Sequence, residues 1–275
     1  MNQKERVFVA LVWRYYEAHG RHELPWRKTA DPYHILVSEL MLQQTQVDRA
    51  LSKYRVFMRK FPTARRLAAA PLGEVVRAWQ GLGYNRRAKF LHEAAKVIVA
   101  EQKGKWPTEE TGLRRLPGIG PYTAAAVMAF AYNSPVVLIE TNVRQVFLHH
   151  FFKNDTDVSD TDILKLVAKT LPTDNPREWY WALMDYGAYL KREYGNVNHR
   201  SKHYAKQSKF QGSDRQIRGA ILRVLSTRKS LTTAQLEQAL RVELLEYDGG
   251  RVAKQLARLQ LEGFLLLLKG RWRLE

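Results

Sequence analysis

The chain has 275 residues, enough for a catalytic core and one small appended domain. Lysine and arginine total 45 against 27 aspartate and glutamate, and the resulting net charge of +18 indicates a polyanionic partner. The absence of cysteine excludes disulfides, thiol catalysis and cysteine-ligated zinc or iron–sulfur clusters. No apolar run is long enough to span a membrane and the N-terminus lacks a signal-peptide cleavage site, so we expect a cytoplasmic protein, associated with the nucleoid if the source is bacterial.

From Val7 to about Leu190 the apolar residues recur at helical spacing. Proline and glycine interrupt this pattern at regular intervals and separate about ten short helices, with no convincing run of strands between them. The pattern therefore predicts a compact all-α domain over residues 1–190.

Between Lys191 and Gln216 the helical pattern stops, and seven lysines or arginines accompany only two acids. This composition predicts a basic linker or extended arm, residues 191–214. Three amphipathic helical patterns follow, and then two short strands around Lys269-Gly270. Residues 215–275 are therefore predicted to form a small winged-helix-like domain.

A short glycine motif, Leu116-Pro117-Gly118-Ile119-Gly120, lies between two helical patterns, and the second helix begins near Pro121. The backbone N–H groups and the dipole of that helix can bind a DNA phosphate, and glycine lets the two backbones approach closely. A plain helix–helix turn would also use glycine for its positive φ, so the motif alone leaves both interpretations open. We predict DNA contacts at Gly118, Gly120 and Thr123.

Six sequence blocks stand in one order along residues 20–190. They are LPWR (24–27), DPYHILVSELMLQQTQV (31–47), FPT (61–63), AWQGLGYNRRA (78–88), LPGIGPYTAAAV (116–127) and IETNVRQV (139–146). This arrangement closely resembles MutY-type adenine DNA glycosylases. The resemblance implies a helix-hairpin-helix glycosylase core that flips a base out of duplex DNA and hydrolyses its N-glycosidic bond.

The resemblance assigns the general acid and base to Glu39. A purine anion leaves poorly, so a carboxyl group whose pKa is raised in a closed pocket must protonate the departing base. Glu140 stands where the family has the aspartate that stabilises the sugar cation. The extra methylene matters, because a misplacement of about 1 Å can cost roughly a hundredfold in rate. Asn142 matches the asparagine that orients this carboxylate, although asparagine also caps helices.

Tyr122 occupies the position at which related bifunctional glycosylases carry a Schiff-base lysine. Without an amine the sugar adduct cannot form, so the resemblance implies a monofunctional enzyme that leaves an abasic site. A tyrosine packed in the core is the alternative interpretation of this residue.

Further positions resemble the base pocket and the DNA wedge of the family. Trp26 and Arg27 match pocket residues, and Trp181 replaces the acid expected to read the adenine amino group. Gln43, Gln44 and Leu82-Gly83-Tyr84 resemble the loops that enter the base stack. Core packing or a helix turn is the alternative for each of these residues.

Two departures from the family concern DNA contacts. The four cluster cysteines are absent, so we expect no cofactor and no metal, and the arm cations Arg200, Lys202, Lys206 and Lys209 are expected to replace the contacts of that region. A merely solvated linker is the alternative. We also expect the family's C-terminal 8-oxoguanine domain to be absent, with the winged-helix-like domain in its place.

Three functions remain open at this point. The first is excision of adenine opposite guanine or 8-oxoguanine, and the second is excision of uracil or thymine opposite guanine. The third is DNA binding without catalysis, which Glu140 in place of aspartate favours and the retained Glu39 disfavours. In each case we expect a monomer acting on double-stranded DNA with a mismatched or damaged base.

Overall fold

A computed structural model describes residues 1–275, and most of them lie in helices. The α-helices are α1 (Gln3–His19), α2 (Pro32–Leu42), α3 (Val47–Lys60), α4 (Ala64–Ala68), α5 (Leu72–Trp79), α6 (Arg86–Ala100), α7 (Glu110–Arg114), α8 (Pro121–Tyr132), α9 (Thr141–Phe151), α10 (Asp160–Thr170), α11 (Pro176–Tyr194), α12 (Asp214–Thr227), α13 (Thr233–Glu243) and α14 (Gly249–Leu261). Two short 3-10 helices cover Pro25–Arg27 and Val197–Arg200. Three antiparallel strands, β1 (Leu231–Thr232), β2 (Leu265–Leu268) and β3 (Arg271–Leu274), pair in the order β1-β3-β2.

Polar side chains cap the start of many of these helices. Asn2 begins α1 with a capping box, because its side chain accepts the Glu5 N–H while the Glu5 carboxylate accepts the Asn2 N–H. Side chains that accept an N–H of the first turn also begin α4, α10, α12 and α13, and these caps are Thr63, Ser159, Ser213 and Thr232. Local sequence signals therefore account for several helix starts.

Contacts within the chain divide it into two compact units that interleave along the sequence. Unit 1 contains residues 1–39, 106–115 and 119–206, and unit 2 contains residues 40–105, 116–118 and 207–275. The C-terminal end thus shares a unit with the middle of the chain. The domain boundaries expected at residues 190 and 214 stay a prediction.

The core of unit 1 is strongly aromatic. The ring of Phe8 on α1 lies 5.3 Å from that of Phe147 on α9 and 6.1 Å from that of Trp179 on α11. Helices α9 and α11 also approach closely at Gly187, where an added Cβ would lie 2.3 Å from the carbonyl oxygen of Asn142. Glycine at position 187 therefore brings α11 against the first turn of α9.

In unit 2 the C-terminal end of the chain is fixed to α5. The Gly73 N–H donates a 2.7 Å hydrogen bond to the carbonyl oxygen of Glu275, and a Cβ at Gly73 would lie 2.8 Å from that oxygen. Phe57 and Trp79 are fully buried in the same unit, with ring centroids 5.8 Å apart. Residues 207–275, the C-terminal module, are therefore packed against the helices of unit 2 and do not form an independent tail.

The all-α prediction for the first 190 residues is confirmed, since eleven helices and no named strand lie there. The three C-terminal helices and the hairpin around Lys269-Gly270 are also present, and β1 is an additional strand of two residues. The name winged helix stays a prediction. The arm is only partly extended, because α11 runs to Tyr194 and the 3-10 helix Val197–Arg200 follows. No helix has the length and apolar character needed to cross a membrane.

Candidate active site

Glu39 lies inside α2 and its side chain is buried. The helix begins after Asp31, whose carboxylate accepts the Tyr33 N–H at 2.8 Å. Ile35, Leu36 and Val37 are buried on the same helix, and only 7% of Glu39 is exposed. Glu39 therefore lies well inside α2, and its carboxyl group is shielded from solvent.

Tyr122, in the first turn of α8, donates its hydroxyl hydrogen to Oε2 of Glu39 at 3.1 Å. Burial raises the pKa of Glu39 to about 7; the Tyr122 hydrogen bond opposes this rise and the charge of Glu140 adds to it. The pKa of Tyr122 is raised well above 10, chiefly by burial and then by the two carboxyl groups. Tyr122 is therefore a neutral donor to the Glu39 carboxyl.

Glu140 caps α9 with its own side chain. Its Oε1 accepts the N–H groups of Asn142 and Val143, both at 2.8 Å, and its Oε2 accepts the Asn142 side-chain amide at 3.2 Å. Burial raises the pKa of Glu140, although these hydrogen bonds and the charge of Arg144 oppose the rise. The longer side chain is thus folded back onto its own helix and held by three hydrogen bonds. Asn142 lies within the first turn and is not the cap.

The predicted pocket residues Arg27 and Trp181 belong to a packed cluster. Arg27 forms two hydrogen bonds with Asp185, at 2.7 and 2.8 Å, and its guanidinium centre lies 5.5 Å from the Trp181 ring. Trp181 also stacks on Phe130 at 6.0 Å. Burial alone would raise the pKa of Asp185, but hydrogen bonds and charge from Arg27, with a further contribution from Arg21, lower it.

Asp185 was not identified from the sequence, because its arginine partners lie more than 150 residues away in the chain. The only signal was its place in the Met184-Asp185-Tyr186-Gly187-Ala188 segment. Trp26 directly precedes Arg27 in the chain, and it is buried, with 5% of its surface exposed. The structure therefore gives Arg27 a structural ion pair, and Trp26 and Trp181 places in the core.

The predicted wedge residues lie in unit 2. Gln44 is exposed and Gln43 is half-buried at the end of α2, and both are close to the wedge loop, residues 81–85, which contains Leu82, Gly83 and Tyr84. Leu82 is buried, whereas Tyr84 is 40% exposed. Gln44, Gly83 and Tyr84 all have positive φ, at 52°, 70° and 46°. Left-handed backbone at non-glycine residues is unusual and is often found at functional sites.

Arg87, which no motif singled out, supports this loop from within. Its Nη1 donates to the carbonyl oxygens of Leu40 at 2.6 Å and Gln43 at 2.5 Å, and its Nη2 donates to those of Leu82 at 2.9 Å and Gly83 at 3.1 Å. Burial lowers the pKa of Arg87 to about 10. The guanidinium therefore remains charged at neutral pH and ties the end of α2 to the wedge loop.

The two hairpin glycines have different surroundings. Gly118 has a φ of +72°, and an added Cβ would lie 2.4 Å from Cβ of Phe90. Gly120 caps α8 with an ordinary φ of −85°, and an added Cβ there would meet nothing within 4 Å. Backbone conformation and packing thus require glycine at position 118. Neither of them requires glycine at position 120. Thr123, expected to contact DNA, is 4% exposed and faces the protein interior.

Arg200 is not a free cation of the arm. Its guanidinium donates to the carbonyl oxygens of Leu148 and Phe152, at 3.3 and 3.0 Å, and makes a short contact with that of Lys153. These carbonyls lie at the C-terminal end of α9, so Arg200 stabilises that helix end. The expectation that Arg200 is available to DNA is corrected accordingly.

The three predicted lysines of the arm are exposed. Lys202 lies 3.4 Å from Asp157, and both side chains face solvent, so this pair is weak. Lys206 and Lys209 are also exposed. These three lysines are therefore accessible to a polyanion.

The family described as HhH-GPD superfamily base excision DNA repair protein matches residues 37–244. The chain is 39% identical over 243 residues to an adenine DNA glycosylase of Mycolicibacterium smegmatis, across 80% of this chain and 81% of that protein. It is 33% identical over 259 residues to the adenine DNA glycosylase of Mycobacterium tuberculosis, across 86% and 84%.

Two solved structures are similar in fold. A thermostable thymine-DNA glycosylase matches with a TM-score of 0.61 and 28% identity, over 68% of this chain and 87% of that chain. A complex of endonuclease III with DNA matches with a TM-score of 0.55 and 20% identity, over 70% and 87%. The second similarity concerns the fold alone.

Proposed function

The chain belongs to the HhH-GPD superfamily of base excision DNA repair proteins and is a DNA glycosylase, and on that premise we propose that it releases adenine opposite guanine or 8-oxoguanine. The relatives named adenine DNA glycosylase support this choice of base. The observation that carries the chemistry is the buried carboxyl of Glu39, whose pKa is about 7 and which accepts a hydrogen bond from Tyr122. Near neutral pH such a group exists in both protonation states, as acid–base catalysis requires.

In the proposed reaction Glu39 begins as the neutral acid. Its proton moves to a ring nitrogen of adenine while the N-glycosidic bond breaks and the bonding electrons go to the base. Adenine leaves as a neutral molecule, and the sugar carries the positive charge of an oxocarbenium-like cation. A water molecule then adds to the sugar carbon and gives a proton to the Glu39 carboxylate, which restores the acid.

Glu140 is proposed to stabilise the sugar cation. The three hydrogen bonds from Asn142 and Val143 fix its carboxylate at the start of α9, which offers a way for glutamate to replace the family's aspartate. A carboxylate held in advance of the reaction loses little energy to reorganisation when charge develops. Asn142 is proposed to orient this carboxylate.

Tyr122 supports a monofunctional reaction. A Schiff base needs an amine, and the hydroxyl of Tyr122 already donates to Glu39. We therefore propose that the enzyme leaves an abasic site and does not nick the strand. Gln44 and Tyr84 are proposed to enter the base stack as the target base flips. The enzyme is proposed to act as a cytoplasmic monomer, associated with the nucleoid if the source is bacterial.

A panel of otherwise identical duplexes tests the choice of base. Each contains one A·8-oxoguanine, A·G, U·G, T·G or hypoxanthine pair, and alkali reveals abasic sites after incubation. We expect breaks at adenine opposite 8-oxoguanine or guanine, only after alkali, with no adduct trapped by borohydride. Breaks confined to uracil or thymine, or a borohydride-trapped adduct, would contradict the proposal.

A second candidate is excision of uracil or thymine opposite guanine. Trp181 stands where the family is expected to have the acid that reads the adenine amino group. Its indole ring stacks on Phe130 and has no carboxyl group to accept a hydrogen bond from that amino group. The structure of a thymine-DNA glycosylase at 28% identity also favours this candidate. The U·G and T·G duplexes of the panel separate it from adenine excision. A protein that binds duplex without releasing any base would be a DNA-binding member of the family.

A further inference from the structure

A groove of about 1360 Å³ lies within unit 2. One wall comes from the wedge loop and the start of α6, with Gln43 and Gln44 beside it. The other wall comes from the C-terminal module, through residues 207–223 and one face of α14. The C-terminal module therefore faces the residues predicted to enter the base stack.

The groove is strongly cationic, with seven arginines and only two carboxylates along it. Four of the arginines form ion pairs with acids; Arg86 and Arg218, for example, share the single carboxylate of Glu262, each at 2.6 Å. Arg87 is buried on carbonyl oxygens. Arg49 and Arg215 line the groove with no carboxylate within ion-pair distance. Two cations are thus available to an anionic ligand.

One face of α12 forms part of this wall. Arg215, Arg218 and Leu222 recur at spacings of three and four residues and line the groove. Ile217 and Ile221, on the opposite face, are buried. A helix that only filled the core of the module would not need arginines at these positions.

The wall is also rigidly attached. Glu262 of the C-terminal module binds Arg86 of α6 and Arg218 of α12 with two hydrogen bonds each. The Gly73 N–H binds the last carbonyl of the chain, and the Gln80 side chain binds Ser226 at 3.3 Å. These contacts hold α12 beside the wedge loop.

Two contacts join this wall to the predicted wedge residues themselves. Arg215 Nη1 donates to the Tyr84 hydroxyl at 2.6 Å, and its guanidinium centre lies 5.8 Å from the Tyr84 ring. Gln207 donates to Gln44 at 2.9 Å and also contacts the Tyr84 hydroxyl. One DNA strand carries a phosphate for roughly every 3.4 Å of helix axis. A duplex that receives Tyr84 must therefore bring phosphates to Arg215.

We propose that this groove binds the phosphodiester backbone of the substrate duplex, with the C-terminal module as one wall and Arg49 and Arg215 as phosphate ligands. Arg215 Nη2 donates to the carbonyl oxygen of Ser208 at 2.7 Å, whereas its Nε donates to no group of the protein, so the guanidinium keeps one N–H for a phosphate. The inference rests on the proposed wedge role of Tyr84. It does not depend on which base is released.

The test measures binding of an undamaged duplex by fluorescence anisotropy over a range of salt concentrations. Each phosphate contact adds about 0.9 to the slope of log affinity against log salt. Arg215→Ala and Arg49→Ala should each flatten the slope by about 1, and the double variant by about 2. Arg215→Lys should keep the slope, since it keeps the charge and loses only the fixed guanidinium contacts with Tyr84 and Ser208.

The matched control is Arg228→Ala, which removes the same charge at the far end of α12, outside the groove. It should leave the slope unchanged, and thermal melting verifies that each variant is folded. A wild-type slope in the folded double variant, or an equal loss in the control, would overturn the proposal. Because no base is released in this assay, failure of adenine excision in the duplex panel is a separate result.

Discussion

Around Glu39 the groups that act on the carboxyl are a phenol and a second carboxyl, whereas the groove beside Tyr84 is lined by arginines. No basic side chain acts on the pKa of Glu39, and a cation there would lower it and remove the neutral acid. In our proposal, different residues of this protein of net charge +18 therefore transfer the proton and bind DNA. Changes near Glu39 should alter the rate of base release, and changes among the cations should alter affinity.

Glu39→Gln gives the largest expected effect. The amide fits the same space but cannot donate a catalytic proton, so base release should fall by roughly a hundredfold to ten-thousandfold. Duplex affinity should remain within about twofold, which anisotropy measures alongside single-turnover base release. Glu17→Gln, on the exposed side of α1, is the control and should release base at the wild-type rate. Normal turnover in Glu39→Gln would remove this residue from the mechanism.

A triple variant of the arm tests the other side of the comparison. Replacing Lys202, Lys206 and Lys209 with Ala should weaken binding to every duplex alike and flatten the salt slope by roughly two to three. The preferred mismatch should not change. Arg200→Ala is the counterpart, because Arg200 binds carbonyls of α9: it should lower the melting temperature and leave the slope near wild type. An altered base preference in the triple variant would show that DNA affinity and base selectivity do not depend on different residues.

Glu140→Asp should have a smaller effect. Aspartate is a good helix cap, so α9 should keep its start, and the shorter side chain restores the family residue. We expect a single-turnover rate within about tenfold of the wild type, equal or higher. Glu140→Gln keeps the length and loses the charge, and it should be much slower. A complete loss of activity in Glu140→Asp would show that the site is built around the longer side chain.

The hairpin glycines provide the smallest expected change. Gly120→Ala should cost about 1 kcal/mol or less, because its φ is ordinary and its surroundings are open. It should nevertheless weaken duplex binding a few-fold, if a phosphate approaches the α8 N-terminus. Gly118→Ala should instead destabilise the protein, through its positive φ and its contact with Phe90. Unchanged affinity in Gly120→Ala would argue against a phosphate at this hairpin.

Local patterns predicted the features that depend on neighbouring residues. The helical spacing of the apolar residues predicted the helix of Glu39, and the Leu-Pro-Gly-Ile-Gly motif predicted the turn before α8. Features that join distant residues could not be predicted. From the sequence Arg27 was predicted to line the base pocket. Only the fold shows that it binds Asp185, which lies 158 positions away in the chain.

The cation-rich arm illustrates the same limit. In sequence Arg200 and Lys206 look alike, because charge alone does not tell whether a side chain faces solvent or a helix end. Only the fold shows that Arg200 binds the carbonyls of α9. The attachment of Glu275 to Gly73 also has no sequence signal, since both partners are backbone groups.

The most direct test is the pH dependence of single-turnover base release at saturating enzyme. The raised pKa means that the Glu39 carboxyl is neutral below about pH 7 and ionised above it. The wild-type rate should therefore decline as pH rises through about 7, approaching tenfold per pH unit. Tyr122→Phe should move this decline to higher pH, because the Tyr122 hydrogen bond lowers the pKa of Glu39. A wild-type rate that is flat across this range, or a decline that Tyr122→Phe moves to lower pH, would contradict Glu39 as the proton donor.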